Sequence, residues 1–155
     1  MSARPDLVAC WLFRQDDGGQ PEILLLRRAA EGAYAGIWQC VTGALEPGER
    51  ILDGAVREVS EEVGLLRLDL DALFETEIVN WFHEASCDEI LCEVVFAARV
   101  RPGAGIVISE EHDDARWLAP AAARARVTWP AHERAIEFVE WLVANPGKAE
   151  RFRLG

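Results

Sequence analysis

Long apolar runs are missing from this sequence. The longest uninterrupted run, Leu7 to Phe13, ends at Arg14, whereas a membrane-spanning helix needs roughly 18–20 apolar residues. The first residues also lack the basic start, the long apolar stretch and the small-residue cleavage site of a secretion signal. The sequence therefore predicts a cytoplasmic protein that does not associate with membranes.

Cysteine is scarce and scattered. There are four cysteines, with no C-x-x-C pair and no histidine at ligand spacing: Cys10, Cys40, Cys87 and Cys92. This pattern argues against a structural zinc site. We expect the four side chains to be buried, reduced thiols.

Positive charge is also in short supply. The chain has 16 Lys and Arg against 27 Asp and Glu, so its formal charge is 16 − 27 = −11. The basic residues form no cluster along the sequence, which makes binding to a nucleic acid polymer unfavourable. An anionic small molecule would need a cation to help it bind.

The 155 residues, half of them apolar, are enough for one domain over residues 1–155 with a substantial core. Apolar runs bounded by turn residues predict strands at 7–13, 22–26, 38–42, 68–79, 90–100 and 116–118. Helical periodicity predicts a helix over 50–63 and another after Trp129-Pro130, ended by Asn145-Pro146-Gly147. These elements predict an α/β or α+β fold with a mostly β sheet between helices.

The first predicted helix carries an unusual group of carboxylates. Glu58, Glu61 and Glu62 stand at i, i+3 and i+4, so they share one side of the helix and repel one another. A divalent cation such as Mg²⁺ reverses that cost, because it binds oxygen ligands from carboxylates, water and phosphates. The alternative is a solvated acidic face.

The residues around this helix form a longer pattern. It runs from Gly43 through Glu49 and Arg57-Glu58 to Glu61-Glu62 and Gly64-Leu65. With its intervening spacings this resembles the complete box of the Nudix hydrolase family, G-x5-E-x7-R-E-U-x-E-E-x-G-U, where U is apolar. The resemblance implies the Nudix fold, a mixed β-sheet sandwiched between α-helices, and hydrolysis of a nucleoside diphosphate linked to another group.

Two physical expectations accompany the box. Gly43 is expected to let the backbone turn tightly, so that its carbonyl faces the metal. Arg57 is expected to pair with Glu49 and to hold the preceding loop against the helix.

The resemblance also implies roles for the carboxylates. Glu58 and Glu62 are the expected primary metal ligands, and Glu111 is a further ligand or the general base. Glu61 bridges a second metal or deprotonates the attacking water. Glu49 acts through Arg57 or on a further metal.

Matches outside the box indicate a branch of the family. Arg27-Arg28, the segment from Trp38 to Gly43, Glu111-His112 and Trp117-Leu118 are similar to the bacterial dihydroneopterin triphosphate (dATP) pyrophosphohydrolases. The branch implies that Arg27 and Thr42 contact substrate. Trp38 and Gln39 are placed in the same site, where Trp38 could stack on a base, although the six tryptophans of so small a domain favour core packing for Trp38.

The chain departs from that branch at two places. Ala3 stands where relatives have a lysine, and the segment 80–89 is acidic where relatives have basic and aromatic residues. Both departures leave the identity of the substrate open.

Taken together, these features predict a Mg²⁺-dependent pyrophosphohydrolase, with Mn²⁺ as a substitute, that converts a nucleoside triphosphate-like substrate to a monophosphate and pyrophosphate. Other Nudix substrates, such as an oxidised nucleotide, a dinucleoside polyphosphate or ADP-ribose, are alternatives, as is a non-catalytic nucleotide-binding module. The expected oligomeric state is a monomer or a homodimer. The three histidines, His83, His112 and His132, are expected to be ordinary surface residues.

Overall fold

A computed structural model describes residues 4–155, so Ala3 lies outside the described part of the chain. The strands are β1 (Leu7–Gln15), β2 (Pro21–Arg28), β3 (Trp38–Gln39), β4 (Val41–Ala44), β5 (Leu70–Glu84), β6 (Glu89–Val100), β7 (His112–Leu118) and β8 (Arg153–Leu154). The helices are α1 (Ile51–Val63), α2 (Pro120–Arg126), α3 (Pro130–Ala144) and α4 (Pro146–Ala149), with short 3₁₀ turns at Arg67–Asp69 and Glu150–Phe152.

The strands form one mixed sheet. The order β3-β2-β1-β6-β5-β8 runs across it, with β4 added beside β1 and β7 beside β2. Strands β1 and β6 are parallel, and the other strand pairs are antiparallel. This confirms the predicted mixed sheet.

Alternation along β1 divides the core into two layers. Trp11 and Phe13 face the layer that α3 covers, whereas Cys10 and Leu12 face the layer that contains Val59 of α1. Successive side chains of a strand point to opposite faces, so each buried strand contributes to both layers. The sheet is therefore sandwiched between α1 on one face and α2 and α3 on the other, as the sequence predicts.

Helix α1 begins and ends close to its predicted bounds. Gly64 adopts a left-handed conformation with φ of 73°, and its N–H donates to the carbonyl of Ser60. Glycine reaches this conformation without a steric penalty, which ends the helix there. The acidic residues of the box are thereby confined to one three-turn element.

The structure differs from the prediction in several elements. The region 38–42 holds two short strands that are separated at Cys40, and β5 extends five residues beyond Val79. The extension pairs with β6 as far as Glu84 opposite Glu89, because backbone hydrogen bonds form along a hairpin even where polar side chains suggest a loop. Helix α2 and strand β8 have no counterpart in the prediction.

Within residues 4–155, no helix combines the length and the apolar character that crossing a membrane would need. Three of the cysteines are buried and free, as expected, but Cys87 is exposed. It lies at the tip of the β5–β6 hairpin, where no layer covers it.

His132 is partly buried, contrary to the prediction. Its ring lies between Trp11 and Trp129, with ring centroids 5.2 Å and 5.3 Å away. Its buried Nδ1 has no hydrogen-bond partner among the described residues. Burial lowers the pKa of His132 to about 4 from 6.5, so the folded protein holds this ring in its neutral form at pH 7.

This burial predicts a loss of stability in acid. The unfolded chain takes up a proton on His132 below pH 6.5 and the folded chain only near pH 4, so the free energy of unfolding should fall by about 1–3 kcal/mol as the pH drops through this window. A His132→Phe variant should lose that part of the pH dependence in urea unfolding at pH 7 and pH 5. Exposed His83 provides the control, His83→Gln. Equal pH slopes in the parent and His132→Phe would contradict the argument.

Candidate active site

Three side chains come together where the end of α1 meets the start of β7. Glu62, Glu111 and His112 each place a ligand atom within 4.8 Å of the others. The preceding loop is docked on the last turn of α1, because Val107 N–H donates to the Val63 carbonyl at 2.9 Å and Ser109 N–H to the Glu62 carbonyl at 3.0 Å. Two backbone hydrogen bonds thus bring Glu111 to the acidic helix.

Glu62 is the most buried carboxylate of the group, with 1% of the residue exposed. Its Oε2 accepts a hydrogen bond from the Thr42 backbone N–H at 3.2 Å, and its Oε1 has no hydrogen-bond partner among the described residues. Burial, together with the charges of Glu58 and Glu111, raises the pKa of Glu62 to about 9. The site thus holds a carboxyl group that strongly favours a bound cation or proton.

His112 is a second correction to the expectation of surface histidines. It is 3% exposed, and its Nε2 lies 3.6 Å from Oε1 of Glu62, beyond hydrogen-bond distance. Burial, together with the charge of Arg28, lowers the pKa of His112 to about 4. The sequence offers one signal for this residue, its position beside Glu111.

Arg57 holds three carboxylates of the box. Its guanidinium donates to both oxygens of Glu49, at 2.7 Å and 3.0 Å, and to Glu58 at 2.8 Å. It also donates to Glu61 at 3.2 Å and to the Ala44 carbonyl at 3.0 Å. The hydrogen bonds from Arg57, together with that from the Glu46 backbone N–H, lower the pKa of Glu49 to about 2. The predicted pairing of Arg57 with Glu49 is therefore confirmed.

Gly43 has a different structural reason from the one predicted. It lies inside β4 and is absent from the positive-φ positions of the described chain, so no tight turn requires it. A Cβ atom at this position would overlap the carboxylate of Glu58. The missing side chain therefore makes room for Glu58 against the strand.

The two arginines at the end of β2 separate to opposite faces. Arg28 contributes to the electrostatic surroundings of Glu62 and His112. Arg27 instead donates to Asp113 at 2.6 Å and lies over the ring of Trp38. The predicted contact of Arg27 with substrate stays a prediction, and Arg28 is the arginine nearer the carboxylates.

Trp38 is partly buried and packs against the core on the α3 side. Arg27, Arg116 and Arg126 each place a guanidinium carbon between 5.1 Å and 6.0 Å from the centroid of its ring. The basic residues therefore do form a local cluster, which the sequence concealed because its members come from distant segments. Asp113 and Asp114 neutralise two of the three.

Gln39 is buried, and its Nε2 has no hydrogen-bond partner among the described residues. It lies beside Leu26 in the β2–β3 pairing, on the α1 face of the sheet that also carries the carboxylates. Thr42 lies two residues beyond Cys40 on the α3 face. Its hydroxyl donates to Glu93 at 3.3 Å, while its N–H contacts Glu62.

The donor set fits a hard divalent cation. Oxygen atoms of Glu62 and Glu111 lie within 4.8 Å of each other and of a ring nitrogen of His112, the Oε1 of Glu62 is buried and unpartnered among the described residues, and Glu58 adds negative charge close by. Mg²⁺ prefers such oxygen ligands and completes its shell with water and phosphate oxygens. The protein is therefore a small α+β domain in which the acidic helix α1 contributes carboxylates to a candidate cation site.

Comparison with known proteins gives this domain its family. The family model of the NUDIX domain matches residues 3–142, and the chain belongs to the Nudix hydrolase family. The nucleoside triphosphatase NudI of Escherichia fergusonii is 30% identical over 128 residues, covering 76% of this chain and 84% of that protein. The family predicted from the box is thereby confirmed.

Two further similarities cover different shares of the other protein. An octanoyltransferase of Myxococcus xanthus is 35% identical over 112 residues, which are 71% of this chain but 30% of that protein, so the chain spans under a third of that relative. The solved structure of the E. coli dihydroneopterin triphosphate pyrophosphohydrolase is 27% identical, with a TM-score of 0.72 over 92% of this chain and 97% of that chain.

Proposed function

We propose that residues 1–155 act in the cytoplasm as one Mg²⁺-dependent pyrophosphohydrolase domain, with Mn²⁺ as a substitute, that cleaves a nucleoside triphosphate-like substrate to a monophosphate and pyrophosphate. The observation that carries the proposal is the buried, unpartnered Oε1 of Glu62, a residue of a complete Nudix box, beside Glu111 from a separate loop. The similarity to a nucleoside triphosphatase and to a pterin triphosphate pyrophosphohydrolase supports the substrate class. The partner is a small molecule, and the protein is a monomer or a homodimer.

The cation would be held by Glu62, Glu58 and Glu111, with the carbonyl of Gly43 as a further ligand. When bound, such a cation neutralises phosphate charge, orients the phosphate chain and makes the attacking water more acidic. Glu61, which is exposed at the edge of α1, or Glu111 takes the proton from the water that attacks phosphorus. Glu61 would instead serve a second cation if two are bound.

The remaining residues position the reactants. Arg57 and Glu49 fix the loop before α1, so that the carboxylates of the helix keep one orientation. Thr42 and Arg27 would contact the substrate, while Trp38 and Gln39 line its surroundings. Arg28 offers a guanidinium on the carboxylate side of the sheet, where phosphate oxygens would gather.

A product panel tests this function. The purified chain is incubated with Mg²⁺ and nucleoside triphosphates, dihydroneopterin triphosphate, a dinucleoside polyphosphate, an oxidised nucleotide and ADP-ribose, and the products are separated by chromatography. We expect pyrophosphate and a monophosphate from a triphosphate substrate, and no turnover in excess EDTA. Orthophosphate as the sole product, ADP-ribose as clearly the best substrate, or full activity in EDTA would each overturn the proposal. Binding without any turnover would indicate the non-catalytic module.

A further inference from the structure

Glu93 is a partly buried carboxylate that the metal chemistry does not use. It lies on β6, and its side chain is on the face of the sheet that carries Val95 and Ala97, which belong to the layer covered by α3. The cluster of carboxylates formed by Glu62, Glu111 and Glu58 lies on the opposite side of the sheet, toward α1. Burial raises the pKa of Glu93, and its described surroundings supply no lysine, arginine or histidine as counter-charge.

Both named contacts of Glu93 are hydrogen-bond donors. The Thr42 hydroxyl donates to Oε2 at 3.3 Å, and the Asn80 amide nitrogen donates to Oε1 at 3.2 Å. A carboxylate has about four acceptor positions, so each oxygen keeps capacity for one more donor. Retaining a partly desolvated acid without a cation costs stability unless further donors satisfy it.

Thr42 connects this carboxylate to the catalytic side. Its backbone N–H donates to Glu62 at 3.2 Å while its hydroxyl donates to Glu93. The two carboxyl groups are therefore separated by one residue of β4. The inference places the phosphates of a substrate at Glu62 and its ring on the Glu93 side of Thr42.

Aromatic side chains lie over the same face. Asn80, Phe82 and Glu84 alternate along β5 on the side of Glu93, since Asn80 pairs with Glu93 across the hairpin. Tyr34 donates to Glu84 at 3.1 Å and packs edge-on against Trp129, with ring centroids 5.7 Å apart. These side chains span from the hairpin to the start of α3. A partly buried carboxylate with aromatic side chains on the same face of the sheet is typical of a site for a flat heterocycle.

We propose that Glu93 determines substrate specificity by accepting two hydrogen bonds from a ring that carries an N–H next to an exocyclic amino group. Guanine and the 2-amino-4-oxo ring of pterins present this pair of adjacent donors. Adenine and cytosine place a ring acceptor beside their amino group, and hypoxanthine lacks the amino group, so each offers Glu93 at most one donor. The inference rests on the proposed function in one respect, that the substrate ring lies on this side of Thr42.

The first test compares ligands that cannot be cleaved at a phosphoanhydride. GMP, IMP and AMP are titrated in Mg²⁺ buffer against the parent chain, with binding followed by calorimetry. Hydrogen bonds to charged groups predict that GMP binds roughly ten- to a hundredfold more tightly than IMP, which lacks only the amino group. Equal binding of GMP and IMP, tighter binding of AMP, or no binding of any of them would overturn the inference. This result needs no variant.

The second test uses Glu93→Gln with Glu75→Gln as its matched control. Glu75 is an exposed glutamate of β5 that pairs with Phe96 on the opposite face. In Glu93→Gln the preference for GMP over IMP should shrink to about threefold or less, because the amide turns one acceptor into a donor. Glu75→Gln should keep the parental ratio. An unchanged ratio in a Glu93→Gln protein with a cooperative melt would show that Glu93 is structural.

Hydrolysis of dGTP and dITP separates this inference from the proposed function. We expect kcat/KM to favour dGTP by the same roughly ten- to hundredfold. Hydrolysis of both at equal rates would overturn the specificity and leave the function standing. Discrimination between GMP and IMP without hydrolysis of any triphosphate would overturn the function and leave the role of Glu93 standing.

Discussion

Replacing Glu62 by glutamine should lower kcat by about two to four orders of magnitude, the size expected when several kcal/mol of cation-assisted stabilisation are lost. Glu62 is buried, holds an unpartnered oxygen and lies one helical turn from Glu58. Glu58→Gln should cause a comparable loss, whereas Glu111→Gln should cost less if Glu111, exposed on a separate loop, is an auxiliary ligand. Initial rates in saturating Mg²⁺ give the comparison, with the exposed neighbour Glu110→Gln as control.

The same Glu62 variant should remain folded. Without metal it should melt at or above the parental temperature, because the change removes a carboxyl group from between two others in a buried setting. Added Mg²⁺ should raise the melting temperature of the parent more than that of Glu62→Gln, since a ligand of the folded state alone adds RT ln(1 + [L]/Kd). Equal Mg²⁺ shifts together with near-parental turnover would place the metal elsewhere and leave the acidic helix as a solvated face.

Gly43→Ala should reduce kcat by about a hundredfold, the order expected when a catalytic group is displaced by about 1 Å. The added methyl group would occupy the position of the Glu58 carboxylate, so Glu58 must turn away and give up its contact with Arg57. Mg²⁺ affinity should fall with kcat. Gly105→Ala is the matched control, because a Cβ there meets no atom within 4 Å.

A double variant distinguishes this cause from general damage. If the methyl group acts through Glu58, then adding Glu58→Gln to Gly43→Ala should cost far less than the two single effects together, as for residues in direct contact. Additive losses, or a Gly43→Ala enzyme with parental kcat, would show that the position of the Glu58 carboxylate does not depend on the missing side chain at residue 43.

The parts of this molecule that sequence alone predicted are those written in local patterns. Short apolar runs bounded by turn residues placed β1 and β2, helical periodicity and Gly64 placed α1, and box spacing placed its carboxylates. Each of these signals lies within one continuous segment of the sequence. The pairing of Arg57 with Glu49 followed from charge and spacing in the same way.

The rest depends on which distant segments meet. His112 is buried because β7 pairs with β2 and brings it beside Glu62, and no local feature of an acidic loop indicates this. The arginines around Trp38 come from β2, β7 and α2. Glu93 accepts a hydrogen bond from Thr42, which is 51 positions away in the sequence. Such neighbours are set by tertiary packing, which overrides local preference.

The Arg57 contacts have a consequence for how the protein opens. One guanidinium ties Glu49 and the Ala44 carbonyl to the middle of α1, so the loop before the helix cannot leave the surface without breaking contacts to the helix itself. Segments linked in this way unfold as one cooperative unit. In amide hydrogen exchange, the turn in which Glu49 N–H donates to the Glu46 carbonyl should therefore exchange with the protection of α1 rather than with that of an exposed loop.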